Sequence, residues 1–413
     1  MRYIDLFSGC GGLSLGLKNA GFEGVIAVEK SPEAFETFNH NLLQPQTSHY
    51  DWPNWFPMRS IDIKELIDGY STQLEVLGEN VDAIVGGPPC QGFSLAGRRN
   101  KDDPRNKLSE LYIRTVELVR PKYLLFENVK GFNTKFRKNN GSSETRSYAE
   151  IVKEKLELLG YRVFSKLLNS AEFGVPQSRE RFILLGVRGD VLGDNPIDPF
   201  QTLEQVKINF LNEKGLVRLP TRSVDAISDL ETTNANLVKH SGSPKSQFFK
   251  LDYKQPKELN SYLRLMRDNS ETPPNSMRLA RHKPATVEKF KKIRELITPG
   301  KSLSEEQKNN LGIKKQVITV LAPNLPSRTV TTLPDDLLHY SEHRILTVRE
   351  NARLQSFPDT YKFLGKYTTG GERRASECPR YTQVGNAVPP LLAEALGKML
   401  IELNRVLSEN NNR

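Results

Sequence analysis

Short apolar runs alternate with amphipathic stretches over the first 190 or so residues of the chain. Such runs are typical of strands buried on both faces of a parallel sheet, and the amphipathic stretches predict the helices that cover it. The pattern therefore predicts an α/β fold with a doubly wound sheet. The predicted strands are Tyr3–Phe7, Val25–Glu29, Val81–Val85, Tyr123–Phe126 and Tyr161–Leu168, with a further apolar run at Phe182–Gly186.

The alternation stops at about Asp190, where prolines, lysines and arginines become scattered among the other residues. It resumes with a predicted helix at Thr347–Gln355, which has a Thr N-cap and a capping-box Glu, and a last apolar helix at Leu391–Leu403. We therefore predict that residues 1–189 and 340–413 form one domain and that residues 190–339 form a smaller domain inserted into it.

A glycine-containing turn, Ser8–Ser14, follows the first predicted strand. Glycines at a strand-to-helix turn let backbone and a helix N-terminus approach a ligand, although Ser14 breaks the strict dinucleotide pattern. Glu29 ends the second strand about twenty residues later, where an acid commonly binds ribose hydroxyls. Asp62 is a further acid near a strand end and can accept a hydrogen bond from an adenine amino group. These residues predict a nucleotide-like ligand.

Cys90 follows the third strand after Gly86-Gly87-Pro88-Pro89. The prolines fix the backbone and delay the next helix, so the thiol is presented at the carboxyl edge of the sheet, where α/β proteins bind ligands. A lone cysteine is more often a small buried apolar residue. The rigid lead-in and the polar sequence after Cys90 favour a nucleophile instead.

Three charged residues are predicted to share this edge with Cys90. Glu127 ends the fourth strand, and Arg179 and Arg181 alternate at the start of an apolar strand. Guanidinium groups favour a thiolate, and a glutamate beside arginines can hold a proton for a ring nitrogen. The set suits thiolate attack on a heteroaromatic ring. No histidine lies near these motifs, which disfavours Cys-His hydrolysis.

Lys and Arg number 59 against 49 acidic residues, giving a net charge of +10 and a pI near 9.3. This balance favours a polyanionic partner, and a basic cluster lies between Arg278 and Arg294. The three cysteines have no paired spacing, which disfavours a disulfide framework or a metal site and favours the cytoplasm. The sequence predicts no signal peptide and no membrane span.

With these residues in view, the chain resembles the cytosine-5 DNA methyltransferases. The motifs occur in the family's order and cover most of both α/β portions. They are Phe7-Ser8-Gly9-Cys10-Gly11-Gly12, Pro88-Pro89-Cys90-Gln91, Glu127-Asn128-Val129, Gln177-x-Arg179-x-Arg181, Arg349-Glu350-x-Ala352-Arg353-Leu354-Gln355-x-Phe357-Pro358 and Gly385-Asn386-x-Val388-Pro389-Pro390.

The resemblance implies a Rossmann-like, S-adenosylmethionine-dependent domain closed by the C-terminal helix, with residues 190–339 recognising the target. It implies that Cys90 adds to C6 of a cytosine flipped out of duplex DNA. Glu127 would lie at N3, Arg181 would hold the base, and Arg179 would support Cys90 or Glu127. C5 would then accept the methyl group and lose its proton, releasing the thiol.

The same resemblance implies the binding residues. Phe7 would pack on the adenine, and Lys30 stands where the family often has an apolar or aromatic residue for that ring. The implied cofactor-binding residues are Phe7, Ser8, Gly9, Cys10, Gly11, Gly12, Leu13, Glu29, Asp62, Ile63, Gly87, Pro89, Leu108, Asn386 and Val388. The expected DNA-binding residues are Gln91, Ser94, Arg98, Arg99, Arg278, Arg281, Lys289 and Arg328.

We expect a bacterial, cytoplasmic, nucleoid-associated monomer that modifies double-stranded DNA, with a restriction endonuclease as its functional companion. A tRNA cytosine-5 methyltransferase is an alternative, but its usual Cys-Phe-Thr triplet is absent from the sequence. A catalytically silent DNA-binding protein is another alternative. It is disfavoured because binding alone needs neither Cys90 nor its acidic and basic partners.

Overall fold

A computed structural model of the chain describes residues 1–89, 107–135, 146–217, 220–240, 247–370, 373 and 376–411. The predicted helices are present in the described parts of the chain. The helix predicted at Thr347–Gln355 spans Val348–Leu354, whereas the last helix, predicted to end at Leu403, continues to Asn411. The helices are α1 (Gly12–Ala20), α2 (Pro32–Leu42), α3 (Ile63–Leu77), α4 (Lys107–Val119), α5 (Tyr148–Leu158), α6 (Gly189–Leu192), α7 (Pro199–Glu213), α8 (Ser223–Ile227), α9 (Ser261–Arg267), α10 (Pro284–Leu296), α11 (Glu305–Asn310), α12 (Val348–Leu354), α13 (Arg380–Asn386) and α14 (Pro390–Asn411).

The strands are β1 (Arg2–Leu6), β2 (Glu23–Val28), β3 (Ala83–Gly86), β4 (Tyr123–Val129), β5 (Tyr161–Asn169), β6 (Glu180–Arg188), β7 (Leu237–Lys239), β8 (Phe249–Leu251), β9 (Thr319–Val320) and β10 (Leu337–Leu338). The larger sheet has the strand order β2-β1-β3-β4-β6-β5. Strands β1 to β4 pair in parallel, whereas β6 runs antiparallel to both β4 and β5. This confirms the predicted α/β class with a mostly parallel sheet.

Two compact units divide the chain. Unit 1 contains residues 1–169, 180–210 and 392–413, and it holds the larger sheet. Its β3 is buried along its whole length, as the short apolar run predicted. Helix α14 lies close to α1, since a Cβ built on Gly397 would come within 2.7 Å of the Ala20 Cβ. The Tyr123 hydroxyl also donates to the Asn404 side chain of α14 at 3.1 Å.

Unit 2 contains residues 170–179 and 211–391. Here the capping box predicted for α12 is confirmed, because the Thr347 hydroxyl accepts from the Glu350 backbone and the Glu350 carboxylate accepts from the Thr347 backbone. Two small apolar clusters form its interior, one around Phe290 and Ile293 and one around Leu251 and Met277. The two functional domains predicted from the sequence, residues 1–189 with 340–413 and residues 190–339, stay a prediction.

An ionic network lies inside unit 2. Arg353 of α12 pairs with Asp229 and with Asp359, and Asp359 also pairs with Arg267 at 3.0 Å. All four side chains are 2% exposed or less. Because buried charges need paired and hydrogen-bonded partners, this network fixes α12 against α9 and the segment after α8.

No helix in the described residues has the length and apolar character needed to cross a bilayer.

Candidate active site

The register of three parallel strands brings the predicted motifs to one edge of the sheet. Leu6 at the end of β1 lies opposite Gly86 at the end of β3, and Gly86 lies opposite Phe126 of β4. The glycine-containing turn after β1, the Gly-Pro-Pro segment after β3 and Glu127 on β4 therefore all follow the same level of the sheet. This is the carboxyl edge at which open α/β sheets bind ligands.

Glu127 and Arg181 form a close ion pair at this edge. The Arg181 Nε lies 2.6 Å from the Glu127 Oε1, with 9% of the arginine and 14% of the glutamate side chain exposed. Arg181 lies opposite Val129 in the β4–β6 ladder, so Glu127 is its diagonal neighbour on the same face. One Arg181 Nη donates to the Glu180 carbonyl at 2.8 Å, which orients the guanidinium. The pair is thus held on two antiparallel strands rather than on loops.

Gly87 lies against the other oxygen of the same carboxylate. A Cβ built on Gly87 would be 2.7 Å from the Glu127 Oε2, closer than real Cβ contacts. Glycine at this position therefore lets the chain after β3 pass directly beside Glu127. This close approach places the Gly87 backbone beside the Glu127 carboxylate, and its predicted contact with the cofactor stays a prediction.

Asn128 fixes the Pro-Pro segment that leads to Cys90. Its side-chain amide donates to the Pro88 carbonyl at 3.2 Å, and its side-chain oxygen accepts from the Val129 backbone at 2.9 Å. The Asn128 side chain is buried. No role was predicted for Asn128 from the sequence, although it stands beside Glu127 in the motif Glu127-Asn128-Val129.

Five predicted site residues lie outside the described part of the chain, namely Cys90, Gln91, Ser94, Arg98 and Arg99.

The turn after β1 has the strained backbone expected of a ligand cradle. Phe7 has a φ of 61°, which is uncommon for a residue with a side chain, and Gly9 and Gly11 have φ of 57° and 92°. The Ser8 amide donates to the Val28 carbonyl at 3.0 Å, and the Gly11 amide to the Ser8 carbonyl at 2.9 Å. Helix α1 begins at the next residue, so its N-terminus faces out of this turn.

Glu29 links the end of β2 to the turn. Its Oε2 accepts from the Gly9 amide at 2.9 Å and its Oε1 from the Ser31 amide at 2.7 Å. Burial raises the pKa of this carboxyl above its usual range, and the backbone hydrogen bonds lower it in part. A carboxylate has about four acceptor positions, so the backbone amides of Gly9, Ser31 and Lys30 do not use all of them.

Asp62 is the N-cap of α3. It accepts from the Lys64 amide at 2.9 Å and pairs with the Lys30 ammonium at 3.0 Å. Burial acts to raise the pKa of Asp62, but these hydrogen bonds outweigh it, so its pKa lies below the usual range. The Ile61 amide donates to the Glu29 carbonyl at 2.8 Å, which holds the two acids on adjoining segments. Lys30 therefore contacts Asp62, and 82% of its side chain is exposed.

The remaining predicted cofactor residues lie in both units. In unit 1, Phe7 and Leu108 are partly buried and pack against the core under the sheet edge, and Pro89 is exposed. In the turn and at the start of α1, the buried predicted residues are Ser8, Cys10, Gly11, Gly12 and Leu13. Ile63 is buried at the start of α3. Asn386 and Val388 belong to unit 2, where Asn386 is exposed and Val388 is buried.

Arg179 belongs to unit 2, whereas Arg181 belongs to unit 1. The buried Arg179 guanidinium donates to the backbone carbonyls of Val330 and Gly385 at 2.8 Å each and to that of Ala387 at 3.3 Å. These contacts hold the turn that carries Asn386, so Arg179 acts on it as a positioning residue. Its predicted support of Cys90 or Glu127 stays a prediction.

Two glutamines complete this buried polar network. The Gln177 amide donates to the Gln355 side chain at 2.7 Å, and its oxygen accepts from the Val330 amide at 2.8 Å. Gln355 in turn donates to the Val384 carbonyl at 2.7 Å. Sequence reasoning assigned neither glutamine a role. Their presence in two of the quoted motifs was the one signal that could have identified them.

The predicted DNA-binding residues of unit 2 differ in their surroundings. Arg328 is exposed, Lys289 is partly buried on α10, and Arg281 donates to the Gln247 side chain. Arg278 is partly buried between aromatic rings. Their contacts with DNA stay predictions.

The family model for C-5 cytosine-specific DNA methylases matches residues 1–402. The chain is 34% identical to the type II methyltransferase M.DdeI of Desulfomicrobium norvegicum, covering 97% of this chain and 88% of that one. It is 32% identical to M1.HphI of Haemophilus parahaemolyticus, covering 98% and 87%.

Solved structures show the same fold. The crystal structure assigned to a prophage-encoded DNA modification methyltransferase of E. coli has a TM-score of 0.64 at 22% identity, covering 98% of this chain and 99% of that one. The S. pombe Dnmt2 methyltransferase has a TM-score of 0.53 at 18% identity, with both chains fully covered. The fold, the clustered motifs at one sheet edge and a family match over nearly the whole length agree, and the chain belongs to the C-5 cytosine-specific DNA methylases.

Proposed function

We propose that the chain transfers the methyl group of S-adenosylmethionine to C5 of a cytosine flipped out of a specific duplex DNA sequence, through a covalent Cys90–C6 adduct. Methylation of cytosine at C5 is the activity that defines its family. The observation that best supports the assigned roles is the Glu127–Arg181 ion pair, at 2.6 Å, beside Gly87 at the carboxyl edge of β3 and β4.

The proposed chemistry uses this pair to activate the ring. A bond forms between the Cys90 sulfur and C6, and the displaced electron density is stabilised by a proton that Glu127 holds at N3. C5 then becomes nucleophilic and takes the methyl group from the sulfonium, leaving S-adenosylhomocysteine. Removal of the C5 proton by a base breaks the S–C6 bond and returns the thiolate. Arg181 keeps the Glu127 carboxyl oriented throughout.

The turn after β1 fits the cofactor that this chemistry requires. S-adenosylmethionine supplies an electrophilic methyl group, an adenine and a ribose. Glu29 has acceptor positions left for the ribose, and Asp62 provides a carboxylate for the adenine amino group. Phe7 lies in the strained turn and would offer its ring to the adenine face.

The relatives named as type II methyltransferases suggest the biological setting. The chain would be the modification enzyme of a restriction-modification system. It would act on double-stranded DNA as a cytoplasmic, nucleoid-associated monomer beside a functionally linked endonuclease. Residues 190–339 would read the target sequence.

Labelled S-adenosylmethionine, incubated with the protein and either mixed duplex DNA or tRNA, tests the substrate. We expect label in DNA, and label in tRNA alone would refute the DNA substrate. Duplex DNA containing 5-fluorocytosine tests the adduct, since fluorine at C5 prevents release of the sulfur. The adduct should form with the wild type and with Cys378→Ser, and should be lost in Cys90→Ser. An adduct that persists in Cys90→Ser would refute the role of Cys90.

A further inference from the structure

A small sheet in unit 2 presents a basic and aromatic face. Val238 of β7 pairs with Lys250 of β8, and Lys250 forms a bridge with Arg278 on its other side. The ladder extends by one pair, because the His240 amide donates to the Phe248 carbonyl at 2.9 Å. The backbone around Arg278 therefore acts as a third, short strand.

Alternation along these strands puts Arg278 and Lys250 on the face opposite to Leu251 and Met277. Leu251 and Met277 point to one face and are buried in an apolar cluster. Side chains one or three positions away from them along the same strand point to the opposite face. That face carries Phe248 and Arg278 together with His240 and Lys250.

Arg278 lies between two aromatic rings on this face. Its guanidinium carbon is 4.2 Å from the centroid of the Phe248 ring and 3.8 Å from that of the Tyr367 ring. Tyr367 is itself fixed, since its hydroxyl lies 3.1 Å from the His240 Nε2 and the Arg380 guanidinium lies 4.4 Å from its ring. Stacking of this kind stabilises a guanidinium and fixes its plane.

Arg278 has no acidic partner within the described part of the chain. No ion pair involves it there, and its buried Nε donates to no acceptor among the described groups. Burial lowers the pKa of the guanidinium, and the nearby Arg380 lowers it further. The Phe248 and Tyr367 rings contact the Arg278 guanidinium, and its Nε is buried. An incoming ligand would therefore meet the Nη1–Nη2 edge. A rigid, planar, partly desolvated pair of donors is thus held ready for a matching pair of acceptors.

We propose that Arg278 is a specificity-determining residue that reads a guanine of the target, donating from its two Nη atoms to O6 and N7 in the major groove. This rests on the proposed function, because it assumes a duplex DNA substrate. A phosphate contact would need only positive charge, which exposed lysines supply elsewhere in the unit. The double stacking fixes a plane, and a fixed plane is useful for the bidentate contact that distinguishes guanine from other bases.

The test removes the N7 acceptor from one guanine at a time. The target is first identified by sequencing methylated DNA, and binding is then measured with duplexes carrying single 7-deazaguanine replacements. We expect one position at which the replacement weakens wild-type binding about tenfold or more. In Arg278→Ala and in Arg278→Lys, binding should be insensitive to replacement at that position and keep its sensitivity at the others.

Lys292→Ala is the matched control, because Lys292 is an exposed basic residue on α10 of the same unit. It removes the same charge as Arg278→Ala and should leave the sensitivity to 7-deazaguanine unchanged. Phe248→Leu keeps the arginine but removes one stacking ring, and it should reduce the sensitivity at the same position about threefold or more. Melting temperatures close to that of the wild type show that the variants are folded.

A phosphate contact gives a different result and would overturn the proposal. Arg278→Ala would then weaken target and non-target duplexes alike, Arg278→Lys would restore most of the binding, and no position would lose its sensitivity. The proposal would also be overturned if no single 7-deazaguanine replacement weakened binding by the wild type. A wild type that methylates no duplex DNA at all would instead refute the proposed function.

Discussion

At the scale of single residues, the proposed site is centred on one carboxylate that is held from two sides. The Glu127 Oε1 contacts the Arg181 guanidinium at 2.6 Å, and its Oε2 faces Gly87 with no room for a side chain between them. A carboxylate held this closely loses little entropy when it meets a ring nitrogen. The charge of Glu127, the proton it would transfer and its fixed position are therefore separate contributions to the proposed reaction. A substitution can remove the charge and the proton while it keeps the position.

Glu127→Gln keeps the shape of the side chain but can neither carry nor release a proton. We expect the rate of methyl transfer in a single turnover to fall by about 10² to 10⁴, the usual contribution of a general acid or base. Affinity for S-adenosylmethionine should change by less than about threefold, because Glu127 is not among the residues expected to contact the cofactor. Single-turnover kinetics and calorimetric titration measure the two effects separately.

Glu180→Gln is the control for this substitution. Glu180 stands on β6 next to Arg181 and, like Glu127, has a basic partner, since it pairs with Lys130 at 3.0 Å, but its side chain is exposed. Exposed pairs contribute little, so both rate and affinity should stay within about twofold of the wild type. A Glu127→Gln enzyme with the same rate as Glu180→Gln would show that Glu127 moves no proton.

At the scale of elements, the junction of β1 and α1 contains a buried polar cluster. Asp5 on β1 is fully buried and accepts a 2.5 Å hydrogen bond from the Ser14 hydroxyl of α1. The Ser14 hydroxyl also lies 2.8 Å from that of Tyr50. Burial raises the pKa of Asp5 to about 7 from 3.8, while the Ser14 bond lowers it in part and Glu29 raises it further. The joint that carries the cofactor turn thus contains a titrating group.

Asp5→Asn should change how stability depends on pH. Folded protein keeps the Asp5 proton up to about pH 7, whereas the unfolded chain loses it near pH 3.8, so this residue makes the fold less stable as pH rises between those values. We expect the variant to melt close to the wild type at pH 4 and at a higher temperature at pH 8. The gain at pH 8 should correspond to ~1 to 4 kcal/mol. Thermal unfolding across that range measures the difference.

Asp82→Asn provides a control with the opposite sign. Burial acts to raise the pKa of Asp82, but hydrogen bonds from Lys122 and from the Arg2 amide outweigh it, so its pKa lies below 3.8. Its stabilising contribution is present above the unfolded pKa and is lost as pH falls. The variant should therefore be less stable than the wild type at pH 8, with a smaller deficit at pH 4. Parallel curves for the two variants would contradict the assignment for Asp5.

Helix α12 shows how burial decides the strength of an ion pair. Arg353→Met would leave Asp229 buried without its arginine partner and would remove one of the arginine partners of Asp359, which costs about 3 to 5 kcal/mol. Amide hydrogens of α12 should then exchange about a hundredfold to a thousandfold faster. Arg405→Met is the control, since Arg405 on α14 also pairs with two carboxylates but is exposed. Its own helix should exchange within about threefold of the wild type.

At the scale of the whole molecule, sequence patterns predicted what depends on local order. The strands of the larger sheet, the turn with its Glu29 and the acid on β4 follow from short apolar runs and their polar ends. The contacts of Arg179 with Val330 and Gly385 do not, because they join residues 151 and 206 positions apart. Arg278 likewise looked like one member of a basic cluster, since its stacking on Tyr367 depends on tertiary packing.

The excess of basic residues gives the last prediction, which concerns the whole chain. A net charge of +10 favours binding that neutralises several DNA phosphates and releases their counterions. The logarithm of the binding constant for the target duplex should therefore fall linearly with that of salt concentration, with a slope of about −5 or steeper. Affinity for S-adenosylmethionine, measured over the same salt range, should change less than about threefold because that ligand meets a few fixed groups. A slope near zero for DNA would mean that base contacts, rather than the charge of the molecule, carry the affinity.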